Sequence, residues 1–147
     1  MNSGNMRAGG FLIAKIHQNS DKLFSKILKE YSVEINPAQG RILFALWSKD
    51  RMTIGEISDK TKLERSTLTS MLDRLETSGF VKRVYDNNDR RTVFVERTGK
   101  DRTLEKKYTE LSKKMTDIFY RDFTESEIER FEKNLEKILN NLDSPGF

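Results

Sequence analysis

The chain of 147 residues contains no cysteine. That absence removes disulfides, thiolate metal sites and cysteine-based redox sensing together. Histidine is nearly as scarce, with His17 the single example. Nucleophilic and general-base catalysis draw on convergent His, Cys or carboxylate groups, and here Asp and Glu are scattered over helix surfaces. The sequence therefore argues against an enzyme and points to no metal or cofactor. No stretch approaches the roughly 20 uninterrupted apolar residues of a membrane span, and the N-terminus lacks the basic, apolar and small-residue zones of a signal peptide. The expectation is a cytoplasmic protein that meets no membrane. Internal repeats, low-complexity tracts and linkers are also missing, and the length is close to the commonest for one domain, so residues 1–147 are expected to form one folding unit.

What is present is charge and regular apolar spacing. Apolar residues make up 35% of the chain and charged residues 34%, with a mean hydropathy of -0.70. Such a composition is polar for a compact monomer, yet its apolar residues recur too regularly for disorder, and long amphipathic helices satisfy both facts. The net charge of +4 is localised. Between Lys60 and Lys100 there are 10 basic against 6 acidic residues, whereas the remainder carries 17 of each. A concentrated positive segment is the footprint of a surface meeting nucleic-acid phosphates, although a solvated basic face is the ordinary alternative.

Phe11, Ile13, Ile16, Leu23, Phe24, Ile27, Leu28 and Tyr31 recur mostly at steps of three or four, which predicts a first helix over 11–31 preceded by a frayed segment. Asn36 as a capping side chain, Pro37 at the first helical position and Gln39 beyond it predict a second helix ending near Lys49. Thr53 and Glu56 form the pattern of a capping box and open a short third helix to about Lys60. A turn around 61–63 leads into a fourth helix over 64–78, with Leu68, Met71, Leu72 and Leu75 on one face and Gly79 as its stop. Two runs rich in β-branched and aromatic residues, 81–85 and 92–97, flank the polar segment 86–91 and read as a hairpin. Thr98 with Asp101 and Thr124 with Glu127 each resemble a helix start, giving helices that reach about Arg121 and Leu142. The fold class is thus mainly α with a small β-hairpin wing.

A short helix, a tight turn, a second helix and a hairpin make the winged variant of the helix-turn-helix, in which the second helix enters the DNA major groove. The face of that helix away from its leucines presents Arg65, Ser66, Thr67, Thr69, Ser70 and Arg74. Short hydroxyls allow close approach to phosphates and bases, and arginine grips guanine or phosphate with paired hydrogen bonds. The plainer alternative is that Ser66 and Thr67 cap the helix while Thr69 and Ser70 are ordinary surface. At the hairpin tip, Arg90 and Arg91 are placed to reach the backbone or minor groove, and Asp89 to accept hydrogen bonds from the arginines or the turn backbone. A solvated turn with incidental charges is the alternative there.

Asn36-Pro37-Ala38-Gln39, the stretch 53–83, and Asp89-Arg90-Arg91 leading into Val95-Glu96-Arg97-Thr98 resemble the MarR family of transcriptional regulators, over nearly the whole chain. Its most specific parts are 63–82 and the wing signature 89–91. The resemblance implies a regulator of double-stranded DNA, commonly a repressor, in which residues 36–97 form the winged DNA-binding region. It also implies that residues 11–35 and 98–143 supply the dimerisation helices of a homodimer, each copy reading half of a roughly palindromic operator. Its DNA-contacting positions fall here on Arg65, Ser66, Thr67, Thr69, Ser70 and Arg74, with Asp89, Arg90 and Arg91 on the wing. Arg97 departs from the small apolar residue that usually precedes the threonine, and the sequence attaches no consequence to it.

Dimerisation also follows from the residues, because the first and last helices carry apolar stripes that one copy does not obviously cover. The expected contacts are Phe11, Ile13, Ile16, Phe119, Ile128, Phe131, Leu135, Ile138 and Leu142; packing of these helices within one chain is the alternative. A small aromatic effector in the crevice between dimer helices and winged region is a further implication of the resemblance. His17 is a candidate lining or pH-sensitive group for it, though a lone histidine on a polar helix face is more often simply solvated. A winged protein-interaction module without DNA is the rival function.

Overall fold

The computed structural model describes residues 6–147, in two compact units that meet in sequence at Ser112 and Lys113. The start of the expected frayed segment lies outside the described residues. The first unit holds α1 (Gly9–Glu30), α2 (Pro37–Ser48), β1 (Met52–Thr53), α3 (Ile54–Thr61), α4 (Arg65–Thr77), β2 (Val81–Tyr85), β3 (Val93–Arg97) and the first part of α5 (Arg102–Phe119). The fold is mainly helical with a small three-stranded sheet, as the sequence predicts.

Local chemistry sets the boundaries. α1 begins two residues earlier than expected, through Gly9 and Gly10, with no side-chain cap at Ala8. At α2 the side chain of Asn36 accepts from the Gln39 amide at 2.8 Å, and that of Gln39 accepts from the Asn36 amide at 2.8 Å. Two otherwise orphaned amides are satisfied reciprocally, and Pro37 sits where its missing N–H costs nothing. Thr53 and Glu56 repeat the device at α3. α4 ends at Gly79, whose φ of 82° lets the Gly79 and Phe80 amides turn back onto the carbonyls of Glu76 and Leu75, the left-handed stop that glycine adopts without strain.

α2 lies at the centre of the core, with Ile42, Leu43 and Leu46 fully buried among Leu28, Ile57, Leu68, Leu72, Leu75, Val81 and Val95. The stripe on α4 faces this core as its spacing requires, which turns the opposite face outward. The sheet runs β1-β3-β2, all antiparallel. The sequence does not predict β1: two residues carry no alternation, and Met52 and Thr53 become a strand only because Val95 and Phe94 lie opposite them.

One expected helix start is corrected. Thr98 and Asp101 do not form a capping box; α5 opens at Arg102, and the Thr98 hydroxyl donates to the Gly79 carbonyl at 2.6 Å. Asp101 turns inward and is fully buried, for reasons that concern the wing.

The second unit, Lys113–Phe147, contains the end of α5, a tight turn with Asp122 at φ 67°, and α6 (Glu125–Asp143). α6 starts on the expected Thr124–Glu127 capping box. Phe119, Phe123 and Phe131 pack edge-on around Tyr120, whose hydroxyl donates to Glu132 at 2.8 Å.

Candidate nucleic-acid interface

α4 exposes Arg65, Ser66, Thr69, Ser70 and Arg74, and leaves Thr67 half-buried. Its N-cap is Glu64, without a side-chain cap bond, so Ser66 and Thr67 do not cap the helix and their hydroxyls are not committed there. At the wing tip, the Asp89 carboxylate accepts from the Arg91 amide at 3.0 Å and the Thr92 hydroxyl at 3.1 Å. It therefore binds the turn rather than the arginine side chains, which shapes the tip and leaves both guanidinium groups projecting.

The structure brings part of the candidate set together. Arg65 at the start of α4 and Arg91 on the wing line one groove of about 580 Å³, floored by Leu68 and walled by Thr53, Ile54 and Ser58 at the head of α3. Arg74 and Arg90 lie outside it; Arg74 borders a separate shallow depression with Glu34, Gln39 and Asp73.

The six arginines between Lys60 and Lys100 sort into two kinds. Among the described residues, no acidic side chain pairs with Arg65, Arg74, Arg90 or Arg91. Arg83 and Arg97 are instead committed internally. Arg83, on β2, reaches Asp73 of α4 at 2.6 Å and accompanies a backbone bond from its own amide to Glu76 at 3.0 Å. It ties the wing to α4 and neutralises the acidic edge of that helix, a role that sequence reasoning misses. The available signal is the pair Asp73 and Glu76 on a helix otherwise free of acid after Glu64. Arg97, to which the sequence attaches no consequence, donates to Asp101 at 2.9 Å and to Glu105. Burial opposes its charge, but the hydrogen bonds to these two carboxylates outweigh that and raise its pKa.

A second cavity, of about 430 Å³, lies between α2, the end of α3 and α5, lined by Arg41, Phe44, Ala45, Lys60, Tyr108 and Ser112. Burial pushes the Tyr108 phenol up to about 12, so it stays a neutral donor beyond the pH at which an exposed phenol ionises. His17 does not line this cavity; it is exposed on α1, 3.7 Å from Asp21. No cluster of three or more metal-ligating side chains occurs among the described residues, and no described helix is long and apolar enough to cross a membrane.

Of the candidate dimer residues in the first unit, Phe11 is 71% exposed, and Ile13 and Ile16 are exposed beside it. Within the second unit, Ile128, Phe131 and Leu135 are half-buried, while Phe119, Ile138 and Leu142 are exposed.

A helix pair with an outward hydroxyl and arginine face, followed by a β-hairpin wing with a basic tip, defines a winged helix-turn-helix protein of the DNA-binding class. The model of the MarR family matches residues 35–93. An uncharacterized HTH-type transcriptional regulator of Bacillus subtilis, YsmB, is 36% identical over 118 residues, which is 80% of this chain and 79% of that protein. The transcriptional repressor MdtR of the same organism is 30% identical over 93 residues, 60% of each chain. Among solved structures, a mutant MarR from Escherichia coli complexed with operator DNA superposes with a TM-score of 0.77 at 27% identity, covering 88% of this chain and 92% of that one. The chain belongs to the MarR family of DNA-binding transcriptional regulators, which are not enzymes.

Proposed function

We propose that this chain is a sequence-specific repressor that grips a pseudo-palindromic operator as a homodimer and is released by a small aromatic effector. The observation that carries the reading is the sorting of the arginines between Lys60 and Lys100: Arg65, Arg74, Arg90 and Arg91, which pair with no acidic side chain among the described residues, surround the hydroxyl-bearing face of α4 and the wing tip, whereas Arg83 and Arg97 hold the scaffold. With 13 residues, α4 is about 20 Å long and fits a major groove about 12 Å wide. Arg65, Ser66, Thr67, Thr69, Ser70 and Arg74 would read that groove and its phosphates, while Arg90 and Arg91 follow the adjacent backbone.

Exposed Phe11, Ile13 and Ile16 supply one apolar dimer surface, and Phe119, Ile128, Phe131, Leu135, Ile138 and Leu142 the other. A dimer seated on a promoter represses by occupying it. For the effector, the cavity beside Tyr108 combines an aromatic wall with the Arg41 guanidinium, a setting for an aromatic acid. The test is fluorescence anisotropy with a labelled duplex from the chain's own promoter, titrated across salt. With six to ten phosphates contacted, affinity falls by about 10³ to 10⁵ between 50 and 200 mM salt, with one dimer per duplex. Weak binding that ignores both sequence and salt would favour a winged protein-interaction module instead.

A further inference from the structure

The wing is held at its root by a group of side chains that the DNA surface does not include. Arg97 is the last residue of β3. Its backbone amide donates to Asp50 at 2.9 Å, and its guanidinium donates to Asp101 at 2.9 Å and to Glu105 one turn further along α5. The same Oδ2 of Asp101 accepts from the Trp47 indole N–H of α2 at 2.7 Å. Asp101 is 0% exposed and its other oxygen, Oδ1, accepts from no protein group among the described residues. A buried carboxylate is tolerated only through its partners, so Trp47 and Arg97 must both point at it. One oxygen atom thereby ties α2, α5 and the wing strand together.

We propose that Trp47, Asp101 and Arg97 are positioning residues that latch the wing at a fixed angle and so set DNA affinity from outside the DNA surface. The proposal rests on the DNA-reading role given above. Its mechanical basis is leverage. Arg91 stands six residues from Arg97, two positions before β3 begins, so the lever reaches at most about 20 Å at the usual rise per residue. A tilt of about 10° at the latch then carries the tip about 3 Å, the full length of a hydrogen bond to phosphate. A reader whose tip is displaced by that much loses the contacts of Arg90 and Arg91 without losing any residue that makes them.

The test compares wild type with Trp47→Phe, Arg97→Leu and the double variant, by duplex anisotropy and by amide hydrogen exchange of the free protein. Trp47→Phe removes the N–H and keeps an aromatic ring at the position that packs edge-on to Tyr108 at 5.5 Å. Loss of one charge-assisted bond predicts binding about tenfold weaker, with faster exchange across 93–97 and unchanged exchange across 42–46. A merely structural role would loosen both segments alike. Because both residues act through Asp101, the double variant binds no worse than Arg97→Leu within about twofold. Losses that multiply, or wing exchange that does not change, overturn the latch. If Arg97→Leu fails to fold with the Asp101 charge left buried, Arg97→Leu/Asp101→Asn takes its place. Should the wild type bind no duplex at all, DNA reading falls, and the exchange data alone decide the latch.

Discussion

Gly40 of α2 stands directly against Tyr108 of α5. A Cβ built at Gly40 would meet the phenol oxygen of that ring, and would lie 2.6 Å from Cε2 and 2.7 Å from Cζ. Ring atoms at those distances must move, and any shift disturbs a ring that is 6% exposed and sits edge-on to Phe24 at 5.3 Å and Trp47 at 5.5 Å. Overpacking of this kind costs about 1–3 kcal/mol. Alanine inside a helix returns about 0.5–1 kcal/mol relative to glycine, so the Gly40→Ala variant is destabilised by about 1–2 kcal/mol. For a chain of this length that lowers the melting temperature by about 2–8 °C, as followed by far-UV circular dichroism. Adding Tyr108→Leu removes the clash, so the double variant loses less than the sum of the two single changes. A Gly40→Ala protein that melts at or above the wild-type temperature would show that the ring yields freely and that it does not hold α2 and α5 at a fixed separation.

Asn36→Ala removes one half of the α2 capping box and lowers stability by about 1 kcal/mol, read as a shift in thermal unfolding. Asp89→Ala frees the Arg91 amide and Thr92 hydroxyl that now bond its carboxylate; duplex binding weakens several-fold while the melting temperature holds, and unchanged binding would dissociate the tip's shape from its role. Backbone and side-chain hydrogen bonds with Thr124 hold the Glu127 carboxyl below its ordinary value. Its contribution is therefore complete above the unfolded carboxylate range near pH 4.3 and is lost as pH falls through the lower folded value. Melting temperature consequently drops on acidification toward pH 3, and drops less in Glu127→Gln, which keeps the cap bond without the titrating charge.

The parts of the fold that are legible in the sequence are those fixed by neighbours along the chain. Three side-chain caps, at Asn36, Thr53 and Thr124, and the stop at Gly79 depend on residues within a few positions, and each appears where expected. β1 escapes because its pairing with Val95 and Phe94 is remote and its length gives no periodicity. Thr98 and Asp101 mislead for the opposite reason: a locally valid capping pattern loses to a tertiary demand, since Asp101 is needed by Trp47 and Arg97. On the candidate interface, the exposed residues of α4 can be read from their spacing against the leucines. The division between paired and unpaired arginines cannot, because it depends on which carboxylates the fold brings to Arg83 and Arg97. Arg97 with Asp101 and Glu105 at steps of four is the visible hint, and it resembles an ordinary helix surface.

The most direct measurement is the affinity of the chain for its own promoter duplex beside Arg65→Ala/Arg91→Ala, the two cations that line the groove between α4 and the wing. Neither has an acidic partner among the described residues, so their removal strands no carboxylate and the variant keeps its melting temperature. Nanomolar wild-type binding, a variant weaker by about 10²-fold or more, and a salt slope shallower by about two phosphates would establish that this groove grips DNA. Equal affinity and equal salt slope for the two proteins would contradict it.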